Sequence, residues 1–308
     1  MAMRFSEGDV ISMLQRVFAS TDPRISIGIG DDAAVVATSQ HSIVTTDMAV
    51  EGVHFNRDWS SAFDIGRKIT AANCADILAM GGRCDYLVAA ISLTGSEEFS
   101  WLENLAHGMR HEATLAGATI VGGDISRGSE IVIAMTALGT SHNAITRSGA
   151  QIGDSIYLSS LTGWSAAGLW LLTHNVSVDS AAADLALAQF SAPTIDYGID
   201  FSRATSCADT SDSLLVQGGQ IAEASGVQLQ IDPQLFQSST EFGPLSALAE
   251  GVGVDVWQWI LAGGEDHVLL ATGQDLPGVR IGQVCHGEGI SGYDMKKAPV
   301  SWSHFLTE

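Results

Sequence analysis

The chain has 308 residues and a formal net charge of −21, because 14 Lys and Arg stand against 35 Asp and Glu. With 46% hydrophobic and 16% charged residues it is too apolar to be disordered, and its length suits about two domains. The acidic charge argues against nucleic-acid and anionic-membrane partners. Its apolar runs stop at strand length, short of the roughly 20 residues that a membrane span needs.

The N-terminal residues and the cysteines bear on the compartment. The first nine residues lack the apolar stretch of a secretory signal. The four cysteines form no C-x-x-C pair and have no zinc-ligand spacing. Thinly spread cysteines fit a reducing compartment. We therefore expect a soluble, cytoplasmic protein with buried thiols.

Helix and strand patterns alternate through the first half of the chain. A capping-box-like start at Ser6 precedes apolar residues at helical spacing. Further along, the pattern predicts strands at 42–46, 86–93, 118–121 and 131–139, and helices at 61–80 and 96–116. This alternation predicts an α/β (α+β) N-terminal domain over residues 1–145.

A polar, turn-forming segment, Thr146-Arg147-Ser148-Gly149, predicts a domain boundary. The second half then predicts strands at 156–161, 227–231 and 267–271, and helices at 165–174, 181–190, 214–224 and 254–261. We therefore expect a C-terminal α/β domain over residues 146–308.

Carboxylates recur at glycine turns, at strand ends and on one small-residue helix. They are Asp31, Asp32, Asp47, Asp76, Asp124, Asp209, Asp212, Glu265 and Asp266. A single such acid is usually a helix cap or a turn former, but so many are harder to explain in that way. Crowded carboxylates repel one another unless a cation neutralises them, and oxygen-only clusters suit Mg²⁺ first, then Mn²⁺ or Ca²⁺. The pattern predicts magnesium-dependent nucleotide chemistry.

Three common kinds of nucleotide site do not fit. No G-x-x-x-x-G-K-[ST] sequence is present, which excludes a P-loop, and neither H-R-D nor D-F-G of protein kinases occurs. Residues 28–33 formally fit G-x-G-x-x-A, but two aspartates in that loop would face the pyrophosphate of a dinucleotide.

Seven segments together resemble the thiamine-monophosphate kinase family, in its order and spacing. They are residues 28–34, 45–55, 73–82, 121–128, 146–150, 209–212 and 263–266, and the most specific are Glu51-Gly52-Val53-His54-Phe55 and Gly263-Gly264-Glu265-Asp266. The resemblance implies ATP-dependent phosphorylation of thiamine monophosphate to thiamine diphosphate. It also implies the two-domain PurM-like fold of aminoimidazole ribonucleotide synthetase, with an N-terminal mixed sheet that pairs across a homodimer.

The resemblance also implies roles for individual residues. The implied magnesium ligands are Asp32, Thr45, Thr46, Asp47, Asp76, Asp124, Asp209 and Asp212. Gly123, Asp124, Arg147 and Ser211 match ATP-binding positions, and His54, Glu265 and Tyr293 match positions that contact thiamine monophosphate. Several Mg²⁺ ions, with ATP as co-substrate, would support a direct in-line transfer by positioning and charge stabilisation, without a phosphoenzyme or a strong general base.

The chain departs from the family at a few positions. Ser213 stands where a glycine is usual, Gln217-Gly218-Gly219 replaces a more acidic and helix-favouring stretch, and Ala106 replaces an aromatic residue near the nucleotide. Two alternatives therefore stay open. One is another PurM-like ATP-dependent synthetase, and the other is a catalytically degenerate nucleotide-binding homologue.

Overall fold

The computed structural model describes residues 7–27, 35–37 and 42–293. The described chain forms two compact units. Unit 1 comprises the described residues of Met1–Leu78 and Gly82–Asn143, and unit 2 those of Ala79–Gly81 and Ala144–Glu308. Asp31 and Asp32, which belong to the glycine turn singled out above, lie outside the described residues.

Unit 1 is built on a four-stranded mixed sheet. In chain order its elements are α1 (Glu7–Val17), β1 (Ile25–Ile27), β2 (Val35–Val36), β3 (Ser42–Val50), α2 (Ala62–Ala79), β4 (Arg83–Leu93), α3 (Phe99–Leu115), β5 (Thr119–Arg127) and β6 (Val132–Thr140). The strand order is β3-β6-β4-β5. Strand β6 pairs antiparallel with β3 and with β4, whereas β4 and β5 are parallel. β1 and β2 form a separate antiparallel pair.

The two faces of this sheet differ. Ile133, Met135 and Ala137 of β6 are fully buried, and they lie in register with Ala49, Asp47 and Thr45 of β3. On the opposite face, Val44 and Met48 are 62% and 56% exposed. Because side chains alternate along a strand, the first face packs in the core and the second, which we call the open face, does not.

Unit 2 contains a six-stranded sheet and most of the helices. Its elements are β7 (Ser155–Leu158), α4 (Trp164–Thr173), α5 (Ala181–Ser191), β8 (Ser206–Asp209), α6 (Leu214–Ser225), β9 (Gln228–Ile231), α7 (Pro233–Phe236), α8 (Phe242–Gly251), α9 (Val256–Ala262), β10 (Leu269–Gly273), β11 (Val279–Cys285) and β12 (Gly289–Ser291). The strand order is β12-β9-β11-β7-β10-β8, and only the β12–β9 pair is parallel. The mixed α/β architecture predicted from the sequence is confirmed.

Two predicted strand ends are wrong, and both concern candidate site residues. Strand β3 does not end at Asp47 but continues to Val50, paired with β6 throughout. Strand β5 does not end at Val121 but runs through Gly122-Gly123-Asp124, in register with Val88 to Ala90 of β4. The glycines there indicate a close approach of strands rather than a turn.

The start of α6 explains one departure from the family pattern. Ser213 is the N-cap of α6, and its hydroxyl accepts a 3.1 Å hydrogen bond from the backbone N–H of Val216. A serine N-cap satisfies a helix donor that glycine leaves without a side-chain partner. Ser213 therefore stabilises the helix that follows Asp212.

No helix in the described part of the chain has the length and apolar composition needed to cross a bilayer.

Candidate active site

In unit 1, strand β3 and helix α2 bring three predicted metal ligands together. The Thr45 hydroxyl donates a 2.6 Å hydrogen bond to Oδ2 of Asp76. The backbone N–H of Asp47 donates to Oδ1 of Asn73, at 3.2 Å. The Asn73 amide in turn donates to the carbonyl of Ile69, at 2.9 Å, which fixes its orientation. Thr45, Asp47 and Asp76 thus form one half-buried oxygen-rich group, which we call the β3–α2 group.

The Thr46 hydroxyl lies on the opposite face of the sheet from this group. It donates to the carbonyl of Met135, at 2.9 Å, and accepts from the hydroxyl of Thr136, at 3.1 Å. Side-chain alternation along β3 causes this separation. The structure therefore joins the side chains of Thr45 and Asp76 and puts Asp47 on the same face of β3, whereas the side chain of Thr46 is on the other face.

Gly123 and Asp124 lie on β5, at the other edge of the same sheet. Asp124 is exposed and in register with Ala90, on the open face. A Cβ atom at Gly123 would overlap the backbone carbonyl of Ala89, so the parallel strands approach closely only because this residue is glycine. β3 and β5 are separated by three interstrand spacings, or about 14 Å.

His54 lies in the turn that follows β3. The backbone N–H of Val50 donates to Nδ1 of His54, at 3.1 Å. A ring nitrogen that accepts a hydrogen bond carries no proton, so the neutral ring has its proton on Nε2. This tautomer presents an N–H donor of the kind that a phosphate oxygen accepts.

In unit 2, Asp209 ends strand β8 and is 5% exposed. Its Oδ2 atom lies 2.8 Å from Nδ1 of His267. Its Oδ1 atom is buried and makes no hydrogen bond. A buried carboxylate oxygen without a partner is costly and is usually explained by an ion or a water molecule. Asp209 therefore presents one oxygen atom suited to a cation.

Gln217 holds the loop that carries Ser211 and Asp212. Its side chain is 2% exposed, its amide nitrogen donates to Oδ2 of Asp212 at 3.0 Å, and its amide oxygen accepts from the backbone N–H of Ser213 at 2.9 Å. Gln217 belongs to the stretch that is more acidic in the family. In this chain it gives Asp212 a neutral hydrogen-bond donor in place of a second carboxylate.

The Gly263-Gly264-Glu265-Asp266 segment packs against this same loop. The backbone N–H of Glu265 donates to the carbonyl of Ser211, at 2.6 Å. A Cβ atom at Gly264 would lie 2.6 Å from the Ser211 carbonyl oxygen and 2.7 Å from that of Asp212, so a side chain there would displace the loop. The structure therefore places Ser211, Asp212 and Glu265 side by side.

Asp266 anchors the segment to helix α4. Its carboxylate accepts hydrogen bonds from the backbone N–H groups of Gly163, at 2.6 Å, and Ser165, at 2.8 Å. It thereby caps a helix whose own N-cap, Gly163, has no side chain for the purpose. Burial raises the pKa of Asp266 to about 7, although the two backbone N–H groups oppose this shift.

Two predicted binding residues lie on other parts of unit 2. Arg147 is exposed, and the Ser225 hydroxyl donates to its carbonyl at 3.0 Å and accepts from the N–H of Gly149 at 3.1 Å. Tyr293 packs its ring against Trp257, with a centroid distance of 5.8 Å.

The described residues form no cluster of three or more His, Cys, Asp or Glu side chains arranged to hold a metal. The predicted ligand Asp32 lies outside the described residues. The ligand set stays a prediction. His267, which contacts Asp209, was missed as a site residue, and Asp266 was singled out among the carboxylates but was given no role of its own. The sequence signal was their place directly after Gly-Gly-Glu.

Comparison with known proteins identifies the family. Residues 30–141 match the model described as AIR synthase related protein, N-terminal domain. The thiamine-monophosphate kinase of Corynebacterium glutamicum is 39% identical over 273 residues, covering 83% of this chain and 80% of that protein.

Two solved structures match nearly the whole chain. The crystal structure of the thiamine-monophosphate kinase from Stenotrophomonas maltophilia K279a has a TM-score of 0.79 at 30% identity, covering 94% of this chain and 98% of that one. AaThiL complexed with AMPPCP and TMP also has a TM-score of 0.79, at 28% identity, covering 99% of this chain and 100% of that one. The resemblance that the motifs indicate is confirmed, and this chain belongs to the thiamine-monophosphate kinase family.

Proposed function

We propose that this chain transfers the γ-phosphoryl group of ATP to the phosphate of thiamine monophosphate, giving ADP and thiamine diphosphate. The observation that carries the proposal is the match over 99% of the chain to AaThiL complexed with AMPPCP, an ATP analogue, and TMP. The free cysteines Cys74, Cys84, Cys207 and Cys285 and the use of ATP favour a cytoplasmic location.

The available donor atoms fit magnesium. In unit 1 they are the hydroxyl and carboxylate oxygens of the β3–α2 group, and in unit 2 Oδ1 of Asp209 has no other partner. Hard cations prefer such oxygen ligands. We therefore propose Mg²⁺ ligation by Thr45, Asp47, Asp76 and Asp209, whereas Asp32, Thr46, Asp124 and Asp212 join the proposed ligand set on the family resemblance alone. Bound Mg²⁺ supplies charge neutralisation between two phosphate groups that otherwise repel.

The remaining candidate residues bind and orient the substrates. Gly123, Arg147 and Ser211 are assigned to ATP, and the guanidinium of Arg147 offers a planar donor set for phosphate oxygens. His54, through its Nε2–H, suits the phosphate of thiamine monophosphate. The carboxylate of Glu265 suits the cationic and amino groups of thiamine, and Tyr293 offers an aromatic surface for its rings.

No residue is assigned as a general base. The acceptor is a phosphate oxygen that is already anionic at neutral pH, so no proton has to be removed before it attacks. The chain therefore acts by holding the two phosphate groups in line and stabilising charge in the transition state, without a phosphoenzyme.

We also infer that the protein acts as a homodimer through the open face of unit 1. Val44 and Met48 on β3 expose large apolar side chains there, next to the Thr46–Thr136 hydrogen bond and in register with Leu138 and Ala134 of β6. Exposed apolar sheet faces of this kind mark interaction surfaces. A second copy of the same face is its proposed occupant, because a self-complementary patch suits a two-fold dimer.

Asp124 on β5 and Asp47 on β3 lie at opposite edges and on opposite faces of the sheet, so the sheet of one copy does not bring these two carboxylates together. Asp124 belongs to the proposed ligand set on the family resemblance alone.

The test is ATP consumption with thiamine monophosphate and Mg²⁺, together with direct detection of thiamine diphosphate. We expect turnover by the wild type, loss of turnover with excess EDTA and recovery on adding Mg²⁺. Asp47→Asn should reduce turnover at least 100-fold, by analogy with the loss of a transition-state charge contact. Activity only with another acceptor would favour a PurM-like synthetase, and nucleotide binding without turnover would favour a degenerate homologue.

A further inference from the structure

We propose that His267 is a positioning residue for Asp209: it holds one oxygen of this carboxylate so that the other points to a divalent cation. The inference rests on the proposed function, because the cation site at Asp209 is part of it. The role assigned to His267 is additional, since this residue has no place in the ligand set described above.

The two oxygen atoms of Asp209 have different surroundings. Oδ2 lies 2.8 Å from Nδ1 of His267, whereas Oδ1 is buried and makes no hydrogen bond. A carboxylate only accepts hydrogen bonds, so Nδ1 carries the proton of this contact. Donation to Oδ2 fixes the rotation of the carboxylate about its Cβ–Cγ bond. The position of Oδ1 then follows from that of the imidazole ring.

The His267 ring is held in place by an unusual backbone. His267 has a φ of 52° and Glu265 a φ of 63°, both in the left-handed region that residues other than glycine seldom adopt. Two contacts maintain this turn: the hydrogen bond from the Glu265 N–H to the Ser211 carbonyl, and the capping of α4 by Asp266. Strained backbone that the surrounding structure enforces is common at functional sites.

If the His267–Asp209 pair had only a structural role, we would expect both oxygen atoms of the carboxylate to have hydrogen-bond partners. Such a pair is stable when the remaining lone pairs of the buried carboxylate are also satisfied. Here His267 and Asp209 are 8% and 5% exposed, yet Oδ1 has no partner. In the proposed arrangement, a cation is the missing partner of Oδ1. Removal of a residue that hydrogen-bonds to a metal ligand commonly changes metal affinity 10- to 100-fold.

The test compares His267→Ala with His267→Asn in the full-length protein. Alanine removes the donor to Asp209. Asparagine keeps an N–H donor near the position of Nδ1 and tolerates a left-handed backbone better than most residues. Asn175→Ala is the matched control for backbone strain, because Asn175 is exposed and also has a φ of 52°.

Two readouts are needed, and the first does not depend on activity. Mn²⁺ binding is measured by electron paramagnetic resonance, with ATP and without thiamine monophosphate, and thermal unfolding is followed in parallel. The second readout is the Mg²⁺ concentration that gives half-maximal turnover. We expect His267→Ala to weaken one Mn²⁺ site about 10- to 100-fold and to raise the half-maximal Mg²⁺ concentration, with His267→Asn restoring most of both. Asn175→Ala should lower the unfolding temperature only.

Asp209→Asn separates this proposal from the proposed function. If Asp209→Asn removes a Mn²⁺ site while folded His267→Ala keeps it at wild-type affinity, the positioning role is rejected and the metal role of Asp209 stands. If Asp209→Asn removes no site, both are rejected. Equal loss in His267→Ala and His267→Asn would also reject the positioning role, because donation from the side chain would then not matter.

Discussion

The hydroxyl of Thr45 and Oδ2 of Asp76 are 2.6 Å apart, and this hydrogen bond joins strand β3 to helix α2. Both residues are half-buried, and both were assigned to metal ligation from the sequence. The bond fixes the rotamer of Asp76 before any ion binds. A preorganised ligand loses less conformational entropy when it binds a cation.

Asp76→Asn is expected to abolish most activity without unfolding the protein. The amide keeps the size of the carboxylate and can still accept from Thr45, but it loses the negative charge. We expect turnover to fall at least 100-fold and the unfolding temperature to change by about 2 °C or less. Steady-state kinetics at saturating Mg²⁺ and thermal melts measure the two effects.

The control for this change is Asp184→Asn, at an exposed acid in the first turn of α5. It removes the same charge away from the candidate site and should leave turnover unchanged. A fully active, well-folded Asp76→Asn would contradict the assignment of Asp76 to the metal site.

Gly219→Ala is expected to stabilise the protein more than Gly218→Ala does. Both residues lie in α6, where glycine costs about 1 kcal/mol relative to alanine. A Cβ atom at Gly219 meets nothing within 4 Å, whereas at Gly218 it would lie 2.9 Å from Cδ1 of Ile290. The gain from Gly219→Ala should raise the unfolding temperature by about 2 °C.

The two variants are compared by thermal unfolding under identical conditions. The overlap with Ile290 should reduce the helix-propensity gain in Gly218→Ala, because the end of the Ile290 side chain on β12 must move. Equal stabilisation by both changes would show that the α6–β12 contact is looser than the structure indicates.

Long elements with a clear hydrophobic period were predictable. Helix α2, expected at 61–80, spans Ala62–Ala79, and α5, expected at 181–190, spans Ala181–Ser191. Elements with glycine or proline were not. Helix α8 was missed because Gly243 and Pro244 resemble a helix break, although proline is compatible with the first turn of a helix. The extension of β5 through two glycines was missed for a similar reason.

The candidate site was predictable only where a motif carries it. The acids of the β3–α2 group and the Glu265 loop were found from their local pattern. The contact between Asp209 and His267 joins residues 58 positions apart, and no local period predicts it. The same is true of Asp266, whose partners Gly163 and Ser165 lie about 100 residues away in the chain. Such contacts follow from sheet register, which the sequence does not display.

Asp266 should make stability depend on pH. Burial raises its pKa to about 7 in the folded protein, against an ordinary value of 3.8. Between these values the folded state binds more protons than the unfolded state, so stability falls as pH rises. The contribution is fully present below about pH 4 and is lost as pH rises through about 7.

The measurement is urea unfolding at pH values from about 4.5 to 8, a range that covers the titration of Asp266. Asp266→Asn should be less stable overall, because one amide oxygen replaces two acceptors for Gly163 and Ser165. Its stability should nevertheless fall less steeply with pH than that of the wild type, because the titrating group is gone. Parallel pH curves for the two proteins would show that Asp266 is ionised throughout.

Met48→Lys is expected to separate the proposed dimer. Met48 lies on the open face and is 56% exposed in one copy, so a lysine costs little in the monomer but places a charge in the proposed interface. Light scattering coupled to size-exclusion chromatography should show a shift from dimer to monomer. Leu115→Lys is the control, since Leu115 is 53% exposed at the end of α3 and outside that face. A dimer that persists in Met48→Lys would place the interface elsewhere.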